Sequence, residues 1–180
     1  MHKFYYDKYY FIDHCDIELL SKQGKKTNII LRNYSKNFTV KEVLNLKNFC
    51  KKKQFKLFIS NNIKLAMKLN LDGAYFPSFN KDFKHLSYNL KKEFLLIGSA
   101  HNASEARIKL KQKVKLIFLS SIFKRNKNYL GLYRFINLVN IINSKVIALG
   151  GISKQNYKLL KFIKIKGFSG ISFFQKKRPL

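Results

Sequence analysis

Tryptophan is absent, and the 180 residues include only two prolines, two cysteines and nine acidic side chains. With so few prolines and only eight glycines, the chain is neither collagen-like nor a low-complexity linker. Cys15 and Cys50 stand far apart and match no metal-ligand spacing, which excludes a disulfide framework and a zinc motif; they read as reduced structural thiols. The scarcity of Asp and Glu leaves paired-carboxylate chemistry, glycosidic or Mg²⁺-holding, without support. No apolar run approaches the roughly 20 residues of a membrane helix. The opening MHKFYYDKYYFIDHC is broken by Asp7 and Lys8, so it reads as neither a signal peptide nor a span. A soluble, cytoplasmic protein with no membrane partner is expected.

What is present is apolar bulk and positive charge. Hydrophobic residues make up 46% of the chain, enough to offset the ordering entropy that keeps poorer sequences unfolded, and Phe and Tyr supply most of that bulk. The length suits a single domain over residues 1–180. Thirty-seven basic residues against nine acidic ones give a net charge of +28. They are spread along the whole chain beside abundant Asn, Ile, Phe and Tyr, a bias that an A/T-rich coding sequence produces, so no specific nucleic-acid partner is assigned. A basic cleft would still draw in phosphorylated small molecules.

Short apolar runs recur at Tyr9–Ile12, Asn28–Leu31, Lys56–Ile59, Gly73–Phe76, Phe94–Ile97, Lys115–Leu119, Val146–Leu149 and Gly170–Phe174. They lack alternation and carry β-branched or aromatic residues, the signature of buried strands. Amphipathic segments lie between them: Thr39 with Glu42 forms a capping box, Asn62 opens IKLAMKLN before Asn70, and Ser104–Glu105 opens a helix over 103–113. A further helix over 130–143 has Phe135, Val139 and Ile142 on its apolar face, and Ser153 is placed to cap KQNYKLLKFIK. Strands alternating with helices imply parallel βαβ units, as a closed barrel or an open doubly wound sheet. The first strand is not followed by GxGxxG, which disfavours the open sheet. The expected fold is a small (β/α)₈ barrel of TIM type with tight loops and a last helix that is short or absent.

In such a barrel chemistry sits where strands end. The clearest candidate is Gly150–Gly151 in ALGGISKQN, a strand end able to hold phosphate on backbone N–H groups and the start of a following helix. The basic loop FLSSIFKRNKN offers Lys124, Arg125 and Lys127 to a diphosphate, or to solvent alone. Ser99 and His101 point to one side of the fifth strand, where a hydroxyl and a proton carrier could act; the alternative for His101 is a place in the turn. No nearby carboxylate orients His101, which argues against a Ser–His–Asp hydrolase. Arg32 ends the second strand with Tyr34 beyond it, an anion partner beside a ring able to stack on a heterocycle. Asn61 could bind a base-like ring or cap the following helix. Asp72, at a strand's start, reads as structural.

Taken in register, IILRNY, FISNNIKLAMKLNLDGAYFP, IGSAHNASEARIKL, IFLSSIFKRNKNYLGLYRF, VIALGGISKQN and GFSGISFF resemble the thiamine-phosphate synthase family, which includes the thiazole tautomerases. The resemblance runs from about Asn28 to Phe174. It implies a barrel enzyme that couples hydroxymethylpyrimidine diphosphate to thiazole phosphate and releases pyrophosphate with the help of Mg²⁺. The alternatives within the family are a thiazole-phosphate tautomerase and a non-catalytic phosphate binder. By resemblance Arg32, Ser99 and His101 are catalytic, and Tyr34, Asn61, Arg125, Lys127, Gly150, Gly151 and Gly170 bind substrate. Gly170 corresponds to the small residue opening the last strand. The correspondence breaks on the metal side: the carboxylates after strands three and four become Ser60–Asn61 and Ser78–Phe79–Asn80, and Tyr75 replaces a usual His. No metal ligand is therefore assigned and Mg²⁺ is left without its usual carboxylates. The thiazole-phosphate side is intact and the diphosphate side rewritten.

Overall fold

Buried runs of four to six residues recur too regularly for an open sheet, and in the computed structural model they close on themselves. It describes residues 6–24, 27–35, 37–170 and Phe173. In order these form β1 (Asp7–Ile12), α1 (Ile17–Ser21), β2 (Thr27–Leu31), α2 (Val40–Lys53), β3 (Leu57–Ser60), α3 (Ile63–Lys68), β4 (Gly73–Phe76) and β5 (Leu95–Ala100). Then follow α4 (Ala103–Lys111), β6 (Leu116–Ser120), α5 (Gly131–Ile141), β7 (Lys145–Leu149) and β8 (Gly167–Ser169). Every strand pairs in parallel with its sequence neighbours, and Lys8 opposite Phe168 joins β1 to β8. The expected (β/α)₈ barrel is what forms.

Period-two alternation sorts each strand into two faces. Tyr9, Ile30, Phe58, Tyr75, Ile97, Leu116, Phe118 and Ile147 pack inside the barrel with Phe11, Leu95 and Leu149. Their neighbours Tyr10, Leu31, Ile59, Ala74, Ile117 and Ala148 face outward under the helices. The interior is unusually aromatic. Phe118 meets Tyr9 and Phe11 edge-on at 5.1 and 5.4 Å, and Phe11 meets Tyr75 at 5.3 Å. Edge-to-face pairs add about 0.5–1.5 kcal/mol each beyond area burial. Asp72 ties the start of β4 to β3 by accepting the Leu57 N–H at 2.9 Å, the structural part expected of it.

The helices begin as their caps dictate. Thr39 and Glu42 form the reciprocal capping box of α2, whose Val43, Leu46 and Cys50 are buried one turn apart. Asn62 caps α3, and Asn102, one residue ahead of the expected start, caps α4 through the Glu105 N–H. Three crossovers are smaller than usual: α1 has five residues, and 3₁₀ turns at Lys84–Ser87 and Tyr157–Phe162 replace helices. That economy lets 180 residues close eight strands.

Two expectations are corrected. The last strand is Gly167–Ser169, not Gly170–Phe174. Glycine at 167 permits the Asp7 carbonyl to lie 2.1 Å from where a Cβ would stand, which selects the earlier segment as partner for β1. Residues 171, 172 and 174–180, on which the rest of that expectation and the short final helix fall, lie outside the described residues. Nor does Ser153 cap a helix. Its N–H donates to Asn156 Oδ1, Asn156 Nδ2 donates to the Gly151 carbonyl, and only Leu160 of the next turn is buried, too little apolar face for two α-turns. Among the described residues no helix is long and apolar enough to cross a membrane.

One polar cluster lies under the helix layer. The Lys109 side chain on α4 has no solvent exposure; its ammonium donates to the Asn80 carbonyl at 2.6 Å and to Gln112 Oε1 at 3.0 Å. Gln112 Nε2 donates to the carbonyls of Asn80 and Asp82, and His85 Nε2 donates to the Gln112 carbonyl at 2.8 Å. Burial pushes the Lys109 ammonium down to about 8, against a smaller opposing effect of Glu105. Between about pH 8 and the ordinary lysine value near 10.5 the unfolded chain holds a proton that the folded chain sheds, so this group's contribution to stability rises with pH across that window. The melting temperature of the wild type, taken relative to Lys109→Met, should therefore climb from pH 8 to pH 10. A flat difference would show that the ammonium is not desolvated.

Candidate functional site

The strand C-termini form a mouth floored by Phe11, Tyr75 and Phe118 and furnished from the loops above. Arg32 follows β2, its backbone N–H held by the Ile12 carbonyl at 2.7 Å. Its guanidinium lies 4.5 Å over the Phe11 ring and 5.7 Å from the Tyr34 ring, which fixes the cation at the mouth. Tyr34 stands edge-on to Phe79 at 5.4 Å, and both rings are more than half exposed, at 55% and 60%. Beneath them the buried Tyr75 hydroxyl lies near Ser99 and Arg32, both of which act on its titration. Burial pushes that phenol up to about 12, with the Ser99 and Arg32 contacts opposing, so near neutral pH it keeps its proton. Arg32, Tyr34 and Ser99, expected from sequence, are thus one connected group, with Tyr75 as the link that sequence reasoning treated only as a lost His.

His101 sits one residue past β5. Glu105 Oε2 accepts its backbone N–H at 2.8 Å, so a carboxylate does fix this turn, through the main chain and not the ring. The ring Nδ1 lies 3.1 Å from the Ser120 carbonyl and 3.0 Å from Ser120 Oγ. A carbonyl can only accept, which assigns the proton to Nδ1 and leaves Nε2 as the basic nitrogen. Ser60 Oγ, at the end of β3, is the buried side-chain oxygen lacking a hydrogen-bond partner among the described residues. An orphan hydroxyl at a strand end signals a partner to be supplied there.

The glycine turn is built differently from expectation. Gly150 and Gly151 have φ of +105° and +73°, conformations an L side chain resists. A Cβ on Gly150 would stand 2.2 Å from Ser121 Oγ, and one on Gly151 would stand 2.5 Å from the Lys124 N. The Gly150 carbonyl accepts N–H bonds from Phe123 at 2.9 Å and Lys124 at 3.3 Å. The loop after β6 therefore lies directly on the turn and brings Lys124 to it, while Arg125 and Lys127 are exposed further along. No α-helix starts there, so the expected dipole contribution drops out and backbone plus lysine charge remain. Gly170 follows β8 instead of opening it, and a Cβ there would meet the Ile152 carbonyl at 2.4 Å.

Asn61 neither caps α3, a task Asn62 performs, nor stands alone: Asn80 Nδ2 donates to Asn61 Oδ1 at 2.6 Å. The Mg²⁺ implied by resemblance does not fit this donor set. Among the described residues no three His, Cys, Asp or Glu side chains stand together. Asp82 Oδ1 accepts the Lys84 N–H, Asp13 is engaged with His14, and the two carboxamides at the expected metal positions face each other.

A family model described as thiamine monophosphate synthase matches residues 16–174. A thiamine-phosphate synthase of Fusobacterium nucleatum subsp. nucleatum is 26% identical over 145 residues, covering 78% of this chain and 70% of that protein. One from Prochlorococcus marinus subsp. pastoris is 26% identical over 126 residues, 68% of this chain but only 36% of that protein, so the chain spans about a third of that relative's length. Among solved structures, a thiamine phosphate pyrophosphorylase from Pyrococcus furiosus superposes with a TM-score of 0.74 at 19% identity, covering 92% of this chain and 85% of that one; it shows the shared fold.

The crowding at the glycine turn makes a stability prediction. Gly150→Ala must displace the Ser121 segment and hold φ at +105°, which costs about 2–5 kcal/mol. Gly24→Ala, where nothing lies within 4 Å of the added methyl, should change stability by less than about 0.5 kcal/mol. Equal effects in chemical denaturation would show that the loop yields to the turn.

Proposed function

The chain belongs to the thiamine monophosphate synthase family, and we propose that it acts on phosphorylated small molecules at the mouth of the barrel, joining hydroxymethylpyrimidine diphosphate to thiazole phosphate. In that transfer the carbon–oxygen bond to the diphosphate breaks and a carbon–nitrogen bond to the thiazole ring forms. Pyrophosphate carries away the electron pair. The observation carrying the proposal is the group Arg32–Tyr75–Ser99, with a fixed cation and two hydroxyls, set beside the exposed rings of Tyr34 and Phe79. Arg32 supplies a charge matched to a departing diphosphate, and the rings offer a flat heterocycle a face to stack on. Lys124 over the Gly150–Gly151 turn, with Arg125 and Lys127 along the same loop, supplies the second anion site. No step is assigned to Mg²⁺, because the donors here do not suit it.

A second reading has its own support. His101 Nε2 is a basic nitrogen placed by Ser120 and Glu105, which suits proton movement on a bound thiazole phosphate and needs no diphosphate. That is the chemistry of a tautomerase. Both readings use soluble phosphorylated metabolites, and with them we place the protein in the cytoplasm.

Purified protein given both substrates should release pyrophosphate, and Arg32→Ala should lower kcat/KM at least about 100-fold by removing a charge-assisted contact made to the leaving group. Absence of pyrophosphate with and without Mg²⁺ would exclude the transferase. Thiazole-phosphate tautomerisation lost in His101→Ala would then establish the second reading.

A further inference from the structure

The loops after β3 and β4 are joined by a side-chain hydrogen bond from Asn80 to Asn61, and several groups around Asn80 hold it. Its Nδ2 donates to Asn61 Oδ1 at 2.6 Å. Its Oδ1 accepts the Asp82 N–H at 2.9 Å and Gln112 Nε2 at 3.2 Å. Its carbonyl accepts the Lys109 ammonium at 2.6 Å and Gln112 Nε2 at 3.2 Å. Asn61 is fixed from the other side, its N–H donating to the Tyr75 carbonyl at 2.8 Å, so the brace reaches the same strand end that carries the Tyr75–Arg32 contact.

Two features of this brace bear on cations. Asn80 turns its Nδ2 to the junction, and the side-chain oxygens of Asn61 and Asn80 already accept hydrogen bonds, whereas Mg²⁺ demands open, preferably anionic, oxygens in near-octahedral array. The Lys109 ammonium, fully buried, has a carbonyl and an amide oxygen as its hydrogen-bond acceptors and no carboxylate, so a positive charge already sits beneath the loops and would repel a second one. Such a charge survives burial only when it is well hydrogen-bonded, and both its acceptors belong to the brace.

We propose that Lys109, through Gln112, Asn80 and Asn61, takes the bridging role of a divalent cation between the loops after β3 and β4, so that phosphorylated ligands bind the mouth without Mg²⁺. Lys109 is a positioning residue here, since it touches the loop and not the ligand. This rests on the phosphorylated-ligand reading of the mouth, and the experiment separates the two.

Two measurements on the full chain decide it. In calorimetry, thiamine phosphate should bind the wild type with the same Kd, within twofold, in EDTA and in about 5 mM Mg²⁺; Lys109→Met should weaken binding about tenfold in both buffers. In thermal unfolding, Mg²⁺ against a NaCl control of equal ionic strength should not move the wild type. It should raise the melting temperature of Asn61→Asp/Asn80→Asp by several degrees, because two carboxylates at the junction recreate a site that needs the ion. Asn61→Asp alone keeps the acceptor for Asn80 Nδ2 and serves if the double variant does not fold; it should gain a smaller Mg²⁺ shift. Lys109→Arg, which keeps a cation on the brace, should bind thiamine phosphate more tightly than Lys109→Met, and equal Kd values for the two variants overturn the positioning role. Binding of thiamine phosphate that tightens more than fivefold with Mg²⁺, or a Mg²⁺ shift in the wild type equal to that of the aspartate variants, overturns the proposal. Failure of thiamine phosphate to bind in either buffer overturns the mouth reading instead, while the unfolding comparison still decides the role of the brace.

Discussion

A closed parallel barrel has to be filled from within, and this chain fills it with aromatic rings. Tyr9, Phe11, Phe58, Tyr75 and Phe118 occupy positions where branched aliphatics are the common choice. Rings are larger and more directional than aliphatic chains, so edge-to-face contacts among them fix where the uppermost groups end. Phe11 becomes the bed for the Arg32 guanidinium, and Tyr75 carries a hydroxyl to the level of Ser99. The chemistry at the mouth is an extension of the packing beneath it, and Tyr75 belongs to both.

The rim above that packing is held mainly by uncharged groups. Amide pairs, carbonyls and one buried ammonium do the joining on the β3–β4 side, and backbone contact does it on the β6–β8 side. With +28 net charge, carboxylates at the rim would have plentiful partners, yet the few acids there serve turns: Glu105 the His101 N–H, Asp82 the Lys84 N–H. An anion entering this mouth meets hydrogen-bond donors and cations with little competing negative charge.

Strand runs were legible because parallel barrel strands are apolar on both faces, and Gly73–Phe76 matches residue for residue. The capping box at Thr39 was legible because it is a local hydrogen-bond pattern. The last strand was misplaced because its selection depends on Gly167 admitting the Asp7 carbonyl, a contact across the whole chain. Ser153 failed as a cap because no α-helix follows it: the segment is a 3₁₀ turn over Tyr157–Phe162 with only Leu160 buried. Arg32, Ser99 and His101 stood out by residue type at strand ends. Asn80 stood out only as the replacement of a lost carboxylate, and Lys109 not at all, since a lysine in a +28 chain carries no signal until its burial is known. Only register through space joins the two.

The missing side chains at 150, 151 and 170 have a consequence for how such a rim can change. Each is filled by backbone or a short side chain of an adjoining segment, Ser121, Lys124 or Ile152, at separations that leave no slack. The loops after β6 and β7, with Gly170 just past β8, thus behave as one casting, in which lengthening a single loop would unseat the others. The loops after β2, β3 and β4 meet through side-chain tips, which can be exchanged one at a time. Half of the rim is a template and half is a keyboard, and new ligand preferences would arise on the second half first.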